Sequence, residues 1–218
     1  MPISESSGRA KGGKRAMVTE IKPISLREEH KRLTRERIIS SAEALFQVQG
    51  FRATTVDQIV KAAGTAATTF YRHFVGKPDL AWILRDKLGA ELGPVMVKLG
   101  TLGGTNPQAV RSWLTRNFFP VWQRNHVLYE AYWEATYADP RLASDVVPNS
   151  LAFIEEILPD FLSQFKGKAR AHAQLKISML VHFLDRACYM AHTNKEEPET
   201  SPILEEMAAM IWRSLFGA

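Results

Sequence analysis

The stretch GFRATTVDQIVKAAGTAATTFYRHFVGKPDL, residues 50–80, predicts two short helices joined by a tight turn. Thr55 and Gln58 have the spacing of a capping box, in which each side chain accepts from the other residue's backbone N–H, so they mark the start of the first helix. Gly64 supplies the permissive backbone that the turn requires. A second helix follows from about Ala66 to Phe74. This arrangement is a helix-turn-helix, the motif that places its second helix in the major groove of DNA.

The second helix of this motif has two different faces. Phe70 and Phe74 are four residues apart and share the inward face, where aromatic residues at helical spacing usually fill a core. The outward positions hold two small residues, an aromatic residue and a cation: Ala67, Thr68, Tyr71 and Arg72. Small side chains let a helix approach base edges, Thr68 can meet a thymine methyl group, and Arg72 or His73 can reach phosphates. We therefore predict that this helix reads DNA.

The segment resembles the DNA-binding domain of the TetR family of bacterial transcriptional repressors. The matching positions are Gly50-Phe51, Thr54-Thr55-Val56, Ile59, Ala63-Gly64, Thr69-Phe70-Tyr71, His73-Phe74, Lys77 and Leu80. The resemblance implies base contacts from Ala67, Thr68 and Tyr71, and phosphate contacts from Thr55, Thr69, Tyr71, His73 and Lys77. One position departs from the family. Thr65-Ala66 stands where the family usually has Val-Ser, so the serine cap of the recognition helix is missing.

The distribution of charge agrees with a DNA-binding function for the N-terminal half. The chain has 218 residues and a formal net charge of +5. Residues 1–87 contain 16 basic and 9 acidic side chains, whereas residues 88–218 contain 12 and 14. The positive charge that attracts phosphate therefore lies in the half that contains the helix-turn-helix, although a charged surface alone is usually only a solvated face.

Residues 1–24 are rich in Gly, Ser, Lys and Arg, and we predict a flexible basic N-terminal arm. Such an arm would add phosphate or minor-groove contacts; the alternative is a disordered leader upstream of a start at Met17.

The chain has no signal-peptide core and no apolar run near the roughly 18 residues that span a membrane, so we expect a soluble, cytoplasmic protein. Its single cysteine, Cys188, is expected to be a small buried hydrophobic residue.

Helix-starting and helix-breaking residues continue to the C-terminus, and no alternating strand pattern appears. Helix starts are predicted at Ser25, Lys77-Pro78, Asn106-Pro107, Asp139-Pro140 and Ser201-Pro202. Bends or ends are predicted at Gly89, Gly93, Pro94, Pro120, Pro148 and Pro159. One long helix is predicted from Lys168 to Asn194. The fold class is therefore all-α, with a helix-turn-helix DNA-binding domain at 25–90 (motif at about 55–74) and a helical-bundle ligand-binding and dimerisation domain at 91–218.

Aromatic residues concentrate in the middle of the chain, where proline-broken helices lined with flat side chains would pack imperfectly and leave a cavity. This half resembles the TetR subgroup that contains the mycobacterial ethionamide-resistance repressor, through Asn117-Phe118-Phe119 with Trp122 and through the C-terminal run 211–217. That resemblance implies an apolar tunnel with polar groups on the penultimate helix. The predicted ligand-binding residues are Trp113, Phe118, Trp122, Tyr129, Trp133, Tyr137, Phe153, His182, Asp185 and Trp212. His182 and Asp185 could equally be a satisfied core or interface pair.

A helical-bundle enzyme of the di-iron carboxylate type is the competing interpretation. Glu130 and Glu134 place two carboxylates on one helical face, but such sites require Glu-x-x-His on two helices, and this sequence contains none. The motifs of nucleophilic hydrolases and phosphate-binding loops are also missing. We therefore predict no enzymatic activity, no cofactor and no metal. An architectural or activating DNA binder is the third possibility, and the predicted cavity argues against it.

The sequence thus predicts a homodimeric repressor that binds double-stranded operator DNA and responds to an apolar small-molecule effector. The two copies are expected to pair through the segments Leu175 to Tyr189 and Ser201 to Phe216. The recognition helices would then lie in successive major grooves, about 34 Å apart. A ligand in the aromatic cavity would favour a state with a different spacing, with helix 4 carrying the movement.

Overall fold

The protein is described by a computed structural model for residues 25–102 and 106–217, and every regular element of these residues is helical. The α-helices are α1 (Leu26–Ala53), α2 (Val56–Ala62), α3 (Ala67–Tyr71), α4 (Lys77–Thr101), α5 (Pro107–Trp113), α6 (Phe119–Ala138), α7 (Pro140–Ile157), α8 (Pro159–Ser163), α9 (Gly167–Thr193) and α10 (Pro202–Leu215). A π-helical turn, Leu114–Phe118, joins α5 to α6. The predicted all-α fold is confirmed. The prediction for residues 1–24 lies outside the described residues.

The starts of the helices follow from local capping. Ser25 and Glu28 form a reciprocal capping box at the start of α1, and Thr55 and Gln58 form one at the start of α2. Gly50 adopts a φ of 78°, which breaks the helical geometry of α1 near its end, as its position in the sequence predicts. Both capping boxes satisfy backbone donors that helix starts leave without partners.

One core joins the DNA-binding helices to α6. Ile38 and Phe46 of α1 are fully buried together with Phe70 of α3. Leu128 and Ala135 of α6 belong to the same cluster of buried side chains. Helix α1 therefore packs directly against α6, and α3 shares their core. A displacement of α6 would change the packing of the helix-turn-helix.

Helix α4 does not end where its glycine and proline residues suggested. It continues from Lys77 to Thr101 with Pro94 inside it. The two glycines are instead positions of close packing against α7, because a Cβ atom at Gly89 would lie 3.4 Å from the ring of Phe153 and one at Gly93 would lie 3.6 Å from Ile157. Of the predicted bend or end at this point, the end is therefore wrong.

The C-terminal helices mostly follow the predicted boundaries. Helix α9 matches the predicted long helix closely, and Ser201 caps α10 by accepting from the backbone N–H of Leu204. Pro148 does not end α7, which runs through it. A second core packs α4, α5, α6, α9 and α10 together around buried residues that include Trp113, Trp122 and Ile211.

Candidate DNA interface and ligand cavity

The recognition helix α3 has the two faces that its sequence predicts. Phe70 is fully buried, and Phe74, just beyond the helix, is also buried. Tyr71 is 59% exposed, and its ring meets that of Phe70 edge to face with 5.2 Å between the ring centroids. Thr68 and Arg72 are exposed as well. The side chains that could contact bases are therefore exposed to solvent, and the buried ring of Phe70 fixes the helix that carries them.

The start of α3 shows the effect of the missing serine. Ala66 occupies the cap position, and no side chain caps the helix. The backbone N–H groups of Thr69 and Phe70 still bond to the carbonyl of Ala66, at 2.9 and 3.1 Å. Thr65 does not take over the capping role, so the recognition helix begins with backbone hydrogen bonds alone.

Two of the residues predicted to contact phosphate, Thr55 and Lys77, form hydrogen bonds within the protein. The hydroxyl of Thr55 accepts from the backbone N–H of Gln58. The ammonium of Lys77 donates to the backbone carbonyls of Phe51 and Thr54, and it lies 4.0 Å from the centroid of the Phe51 ring. Burial lowers the pKa of Lys77. Lys77 therefore clamps the end of α1 to the start of α4, and its contact with phosphate remains a prediction.

Two basic residues of α1, which the sequence analysis did not select, lie near the recognition helix. Arg35 lies over the ring of Phe74, with 5.5 Å between the guanidinium carbon and the ring centroid. Burial lowers the pKa of the His73 imidazole, and the positive charges of Lys31, Arg72 and Arg35 lower it further, so these cations are close to His73. We call Lys31, Arg35 and Arg72 the basic ridge. The four-residue spacing of Lys31 and Arg35 on one helical face was the available signal.

A cavity of about 890 Å³ lies among α4, α6, α7 and α9. The predicted ligand-binding residues that line it are Phe118, Tyr129, Trp133, Phe153, His182 and Asp185. Tyr132, which was not among the predicted residues, contributes another ring to the wall. The volume falls within the range of about 300–1,000 Å³ that is usual for small-molecule sites.

The carboxylate of Asp185 is held by two indole groups of α6. Trp122 donates to Oδ1 at 2.6 Å, and Trp133 donates to Oδ2 at 2.7 Å. Burial raises the pKa of the Asp185 carboxyl, whereas these two hydrogen bonds and the charges of His182 and Arg186 act in the opposite direction. Asp185 is therefore a fixed acceptor at the wall of the cavity, with both oxygen atoms already engaged by neutral donors.

Two other polar groups of the cavity are buried without a hydrogen-bond partner among the described residues. They are the hydroxyl of Tyr129 and Nε2 of His182. Burial is the largest cause of the raised pKa of Tyr129, and the negative charge of Asp185 adds to it, so the hydroxyl keeps its proton. Burial lowers the pKa of His182, which favours the neutral imidazole. Buried polar atoms normally have partners, so these two atoms are available to hydrogen-bond a polar group of a ligand.

The remaining predicted ligand-binding residues lie outside the lining of this cavity. Trp113 is buried in the second core and donates to the carbonyl of Val95. Trp122 is fully buried behind Asp185, and Trp212 is partly buried against the second core. Tyr137 is 83% exposed and stacks on Trp133. Tyr137 is four residues beyond Trp133 and therefore lies on the same face of α6, but one turn further along the helix, where it is exposed to solvent.

Helix α9 carries a stripe of exposed apolar residues along one side. Leu175, Met179, Phe183 and Met190 are 43 to 53% exposed, and Met210 of α10 is 41% exposed. We call these five residues the α9–α10 stripe. Four of the five lie within the two segments that were predicted to form the dimer interface, and Met190 lies one residue beyond the first segment. Clustered exposed apolar side chains are typical of association sites.

Glu130 and Glu134, the carboxylates considered for a di-iron site, have different surroundings. Glu134 pairs with Arg52 of α1 at 3.1 Å, and Glu130 is exposed. Among residues 25–102 and 106–217, no three His, Cys, Asp or Glu side chains are grouped as metal ligands. Cys188 is fully buried. No helix in the same ranges is long and apolar enough to cross a membrane.

Comparison with known proteins identifies relatives of the N-terminal part of the chain. A family model described as "Bacterial regulatory proteins, tetR family" matches residues 38–81. The HTH-type transcriptional regulator TcmR of Streptomyces glaucescens is 43% identical over 56 residues, which are 26% of this chain and 25% of TcmR. The HTH-type transcriptional regulator LmrA of Bacillus subtilis is 45% identical over 49 residues, 22% of this chain and 26% of LmrA. The matches therefore span about a quarter of each curated relative.

A solved structure also resembles this chain. It is that of a Clostridium perfringens protein described as a candidate fatty acid metabolism regulator. The two chains are 18% identical, and the TM-score is 0.44 over 84% of this chain and 98% of the other.

Proposed function

We propose that this chain, whose residues 38–81 match the TetR family of bacterial regulatory proteins, is a DNA-binding transcriptional repressor of that family and that an apolar small molecule releases it from its operator. It is then a regulator rather than an enzyme, and it acts on DNA in the cytoplasm. The single observation that carries the proposal is the split face of α3, where Phe70 is buried and Tyr71 is exposed. A helix that needed Tyr71 only for stability would have no reason to hold it in solvent.

Phosphate attraction is assigned to the basic ridge, and base contact to Ala67, Thr68 and Tyr71. The charges of the ridge act on His73, which follows α3 by two residues, and Arg35 lies over the ring of Phe74, so the ridge lies near the end of α3. Phosphate contacts fix the position of a protein on DNA without reading sequence, while contacts at base edges select the sequence. The two sets of residues should therefore respond differently to salt and to changes of operator sequence.

Operator binding requires two copies, and the α9–α10 stripe is the proposed contact between them. A two-fold interface presents the same surface on both subunits, so one apolar stripe serves as both halves. The exposed side chains at its centre, Met179 and Phe183, lose water from both copies at once. Two recognition helices held in this way can bind two half-sites about 34 Å apart.

The cavity is connected to the DNA-binding helices through α6. Trp133 lines the cavity, while the next residue, Glu134, pairs with Arg52 near the end of α1. On the same helix, Leu128 and Ala135 pack into the core that contains Phe70. A ligand that moved Trp133 would therefore act on both the ion pair and this core. Such a ligand releases DNA only if it binds the released state more tightly than the DNA-bound state.

The basic ridge gives a first test. Lys31→Gln and Arg35→Gln are each expected to weaken binding to all DNA sequences alike and to lower the slope of log affinity against log salt by about 0.9, because each removes about one phosphate contact. Arg32→Gln is the matched control, since Arg32 lies on the same helix and pairs with Glu36 at 2.8 Å. Fluorescence anisotropy between 50 and 300 mM salt measures the slopes, and an equal reduction for all three variants would contradict the assignment.

Release by a ligand tests the function itself. Operator DNA can be selected from a random duplex library, and lipophilic compounds of every charge type can then be screened for release. The compound that releases DNA is expected to quench tryptophan fluorescence and raise the melting temperature, since Trp133 lies in the wall and a bound ligand stabilises the folded state. Trp133→Phe should remove most of the quenching, whereas Trp113→Phe, in the second core, should retain it. Failure to select any DNA would overturn the repressor assignment.

A further inference from the structure

The mostly buried carboxylate of Asp185 forms no ion pair among the described residues, although the charges of His182 and Arg186 act on it from a distance. Its two partners are the indole N–H groups of Trp122 and Trp133, which are neutral donors. None of the ion pairs of the described residues includes Asp185, whereas Glu134 pairs with Arg52 and Asp139 pairs with Arg141. A buried charge is costly unless it is paired. The wall of the cavity therefore contains a fixed negative group that a cation would stabilise.

Most charged residues of the cavity wall are acidic. Its acidic members are Asp86, Glu156, Asp160 and Asp185, and its basic member is Arg85. Arg85 is already occupied, because its guanidinium pairs with Asp86 at 2.5 Å and lies 4.7 Å from the centroid of the Trp82 ring. With Arg85 and Asp86 offsetting each other, the remaining charged residues of the wall are acidic, and a concave site with an excess of one sign of charge concentrates ions of the opposite sign. The lining therefore favours a positive ligand and disfavours a negative one.

The rings and the orphan polar atoms also suit a cation. Five aromatic side chains line the cavity: Phe118, Tyr129, Tyr132, Trp133 and Phe153. The negative face of an aromatic ring attracts an ammonium group, most strongly where water is excluded. The Tyr129 hydroxyl oxygen is a hydrogen-bond acceptor, and a neutral imidazole such as that of His182 offers one acceptor nitrogen. Both groups are without partners and could accept from an ammonium N–H.

The geometry points to a lipophilic cation as the ligand of this cavity, an apolar body that carries one protonated amine or quaternary ammonium group with Asp185 as its counter-ion. This inference rests on the proposed function only in treating the cavity as the effector site. The apolar body buries against the rings and aliphatic side chains of α4 and α7. An anionic lipid would instead bring its charge toward Asp185 and find Arg85 already paired.

A series of compounds with one twelve-carbon chain and different head groups tests the charge of the ligand directly. The probes are dodecylammonium, dodecyltrimethylammonium, dodecanol and dodecanoate, titrated below their micelle concentrations. Binding is followed by tryptophan fluorescence, and circular dichroism verifies that the protein remains folded. Both ammonium compounds are expected to bind at least about tenfold more tightly than dodecanol and dodecanoate, because only they gain an ion pair and ring contacts. Equal or tighter binding of dodecanol or dodecanoate would overturn the inference.

The variant Asp185→Asn assigns the preference to its carboxylate. The amide keeps one oxygen acceptor and the size of the side chain but removes the charge. It should abolish the advantage of the ammonium compounds and leave the affinity for dodecanol within about twofold, whereas Glu130→Gln, an exposed change on α6, should keep the advantage. An unchanged preference in Asp185→Asn would contradict the role of Asp185. The series of compounds measured with the wild-type protein still determines the preferred charge of the ligand if this variant does not fold.

Release of DNA separates this inference from the proposed function. If dodecanol or dodecanoate binds more tightly and releases DNA, the repressor function is supported and the cationic ligand is refuted. If the ammonium compounds bind with the expected preference but do not release DNA, the cation site is supported and its role as the effector site is refuted.

Discussion

The double substitution Met179→Asp and Phe183→Asp is expected to convert the proposed dimer to monomers and to lower affinity for a two-half-site operator by about 100-fold or more. Both side chains belong to the exposed stripe on α9, at 50% and 53% exposure, so the changes should not disturb a buried core. A monomer loses the second half-site that the dimer holds at high effective concentration, and this tethering is worth about 10² to 10⁴ in affinity. Analytical ultracentrifugation and anisotropy with operator DNA measure the two effects.

Val147→Asp is the matched control for this pair. Val147 is also a half-exposed apolar residue, but it lies on α7 and does not belong to the stripe. The control should remain a dimer and keep its operator affinity within about twofold, as expected for a surface change. A dimer that survives the double substitution would move the interface to another face of the molecule.

Phe70→Ala is expected to lower the free energy of unfolding by about 3 to 5 kcal/mol, because removing a fully buried aromatic side chain loses its burial and leaves a cavity. Phe70 packs between Tyr71 and Phe74, with ring centroids 5.2 and 5.3 Å away. Its loss should therefore disorder the recognition helix and abolish DNA binding. Urea denaturation followed by circular dichroism measures the loss of stability.

The neighbouring substitution Tyr71→Ala should have the opposite pattern. Because the Tyr71 ring is mostly in solvent, stability should change by no more than about 1 kcal/mol, the value of an edge-to-face ring contact. Operator affinity should still fall by about 1 to 3 kcal/mol if the side chain contacts a base. A large loss of stability without a loss of affinity in the folded protein would return Tyr71 to a purely structural role.

The parts of the fold that the sequence predicted correctly depend on neighbouring residues. The capping boxes at Ser25 and Thr55 are formed by residues three apart, and the sorting of Phe70 and Tyr71 follows from one helical turn. Such patterns need no knowledge of distant contacts. They were sufficient for the number of helices in the DNA-binding part and for the orientation of the recognition helix.

The lining of the cavity could not be derived in this way. Trp122 and Trp133 lie on the same helix and both bond Asp185, yet only Trp133 reaches the cavity, because their exposure depends on where α7 and α9 pack. The course of α4 shows the same limit, since Gly89 and Gly93 act as contact points for α7 rather than as breaks. Helix-to-helix distances decided these outcomes, and no local pattern contains them.

The π-helical turn between α5 and α6 determines which residues of α6 face the cavity. A π turn contains one more residue than an α-helical turn, and it lies just before Pro120, which has no N–H to donate to Arg116. One residue corresponds to a rotation of about 100° about the helix axis. Deleting one residue from positions 114–117 would therefore rotate Tyr129 and Trp133 about the axis of α6 and move Trp133 away from Asp185. In this chain, the loss of a single residue from positions 114–117 would remodel ligand recognition without altering any residue that lines the cavity.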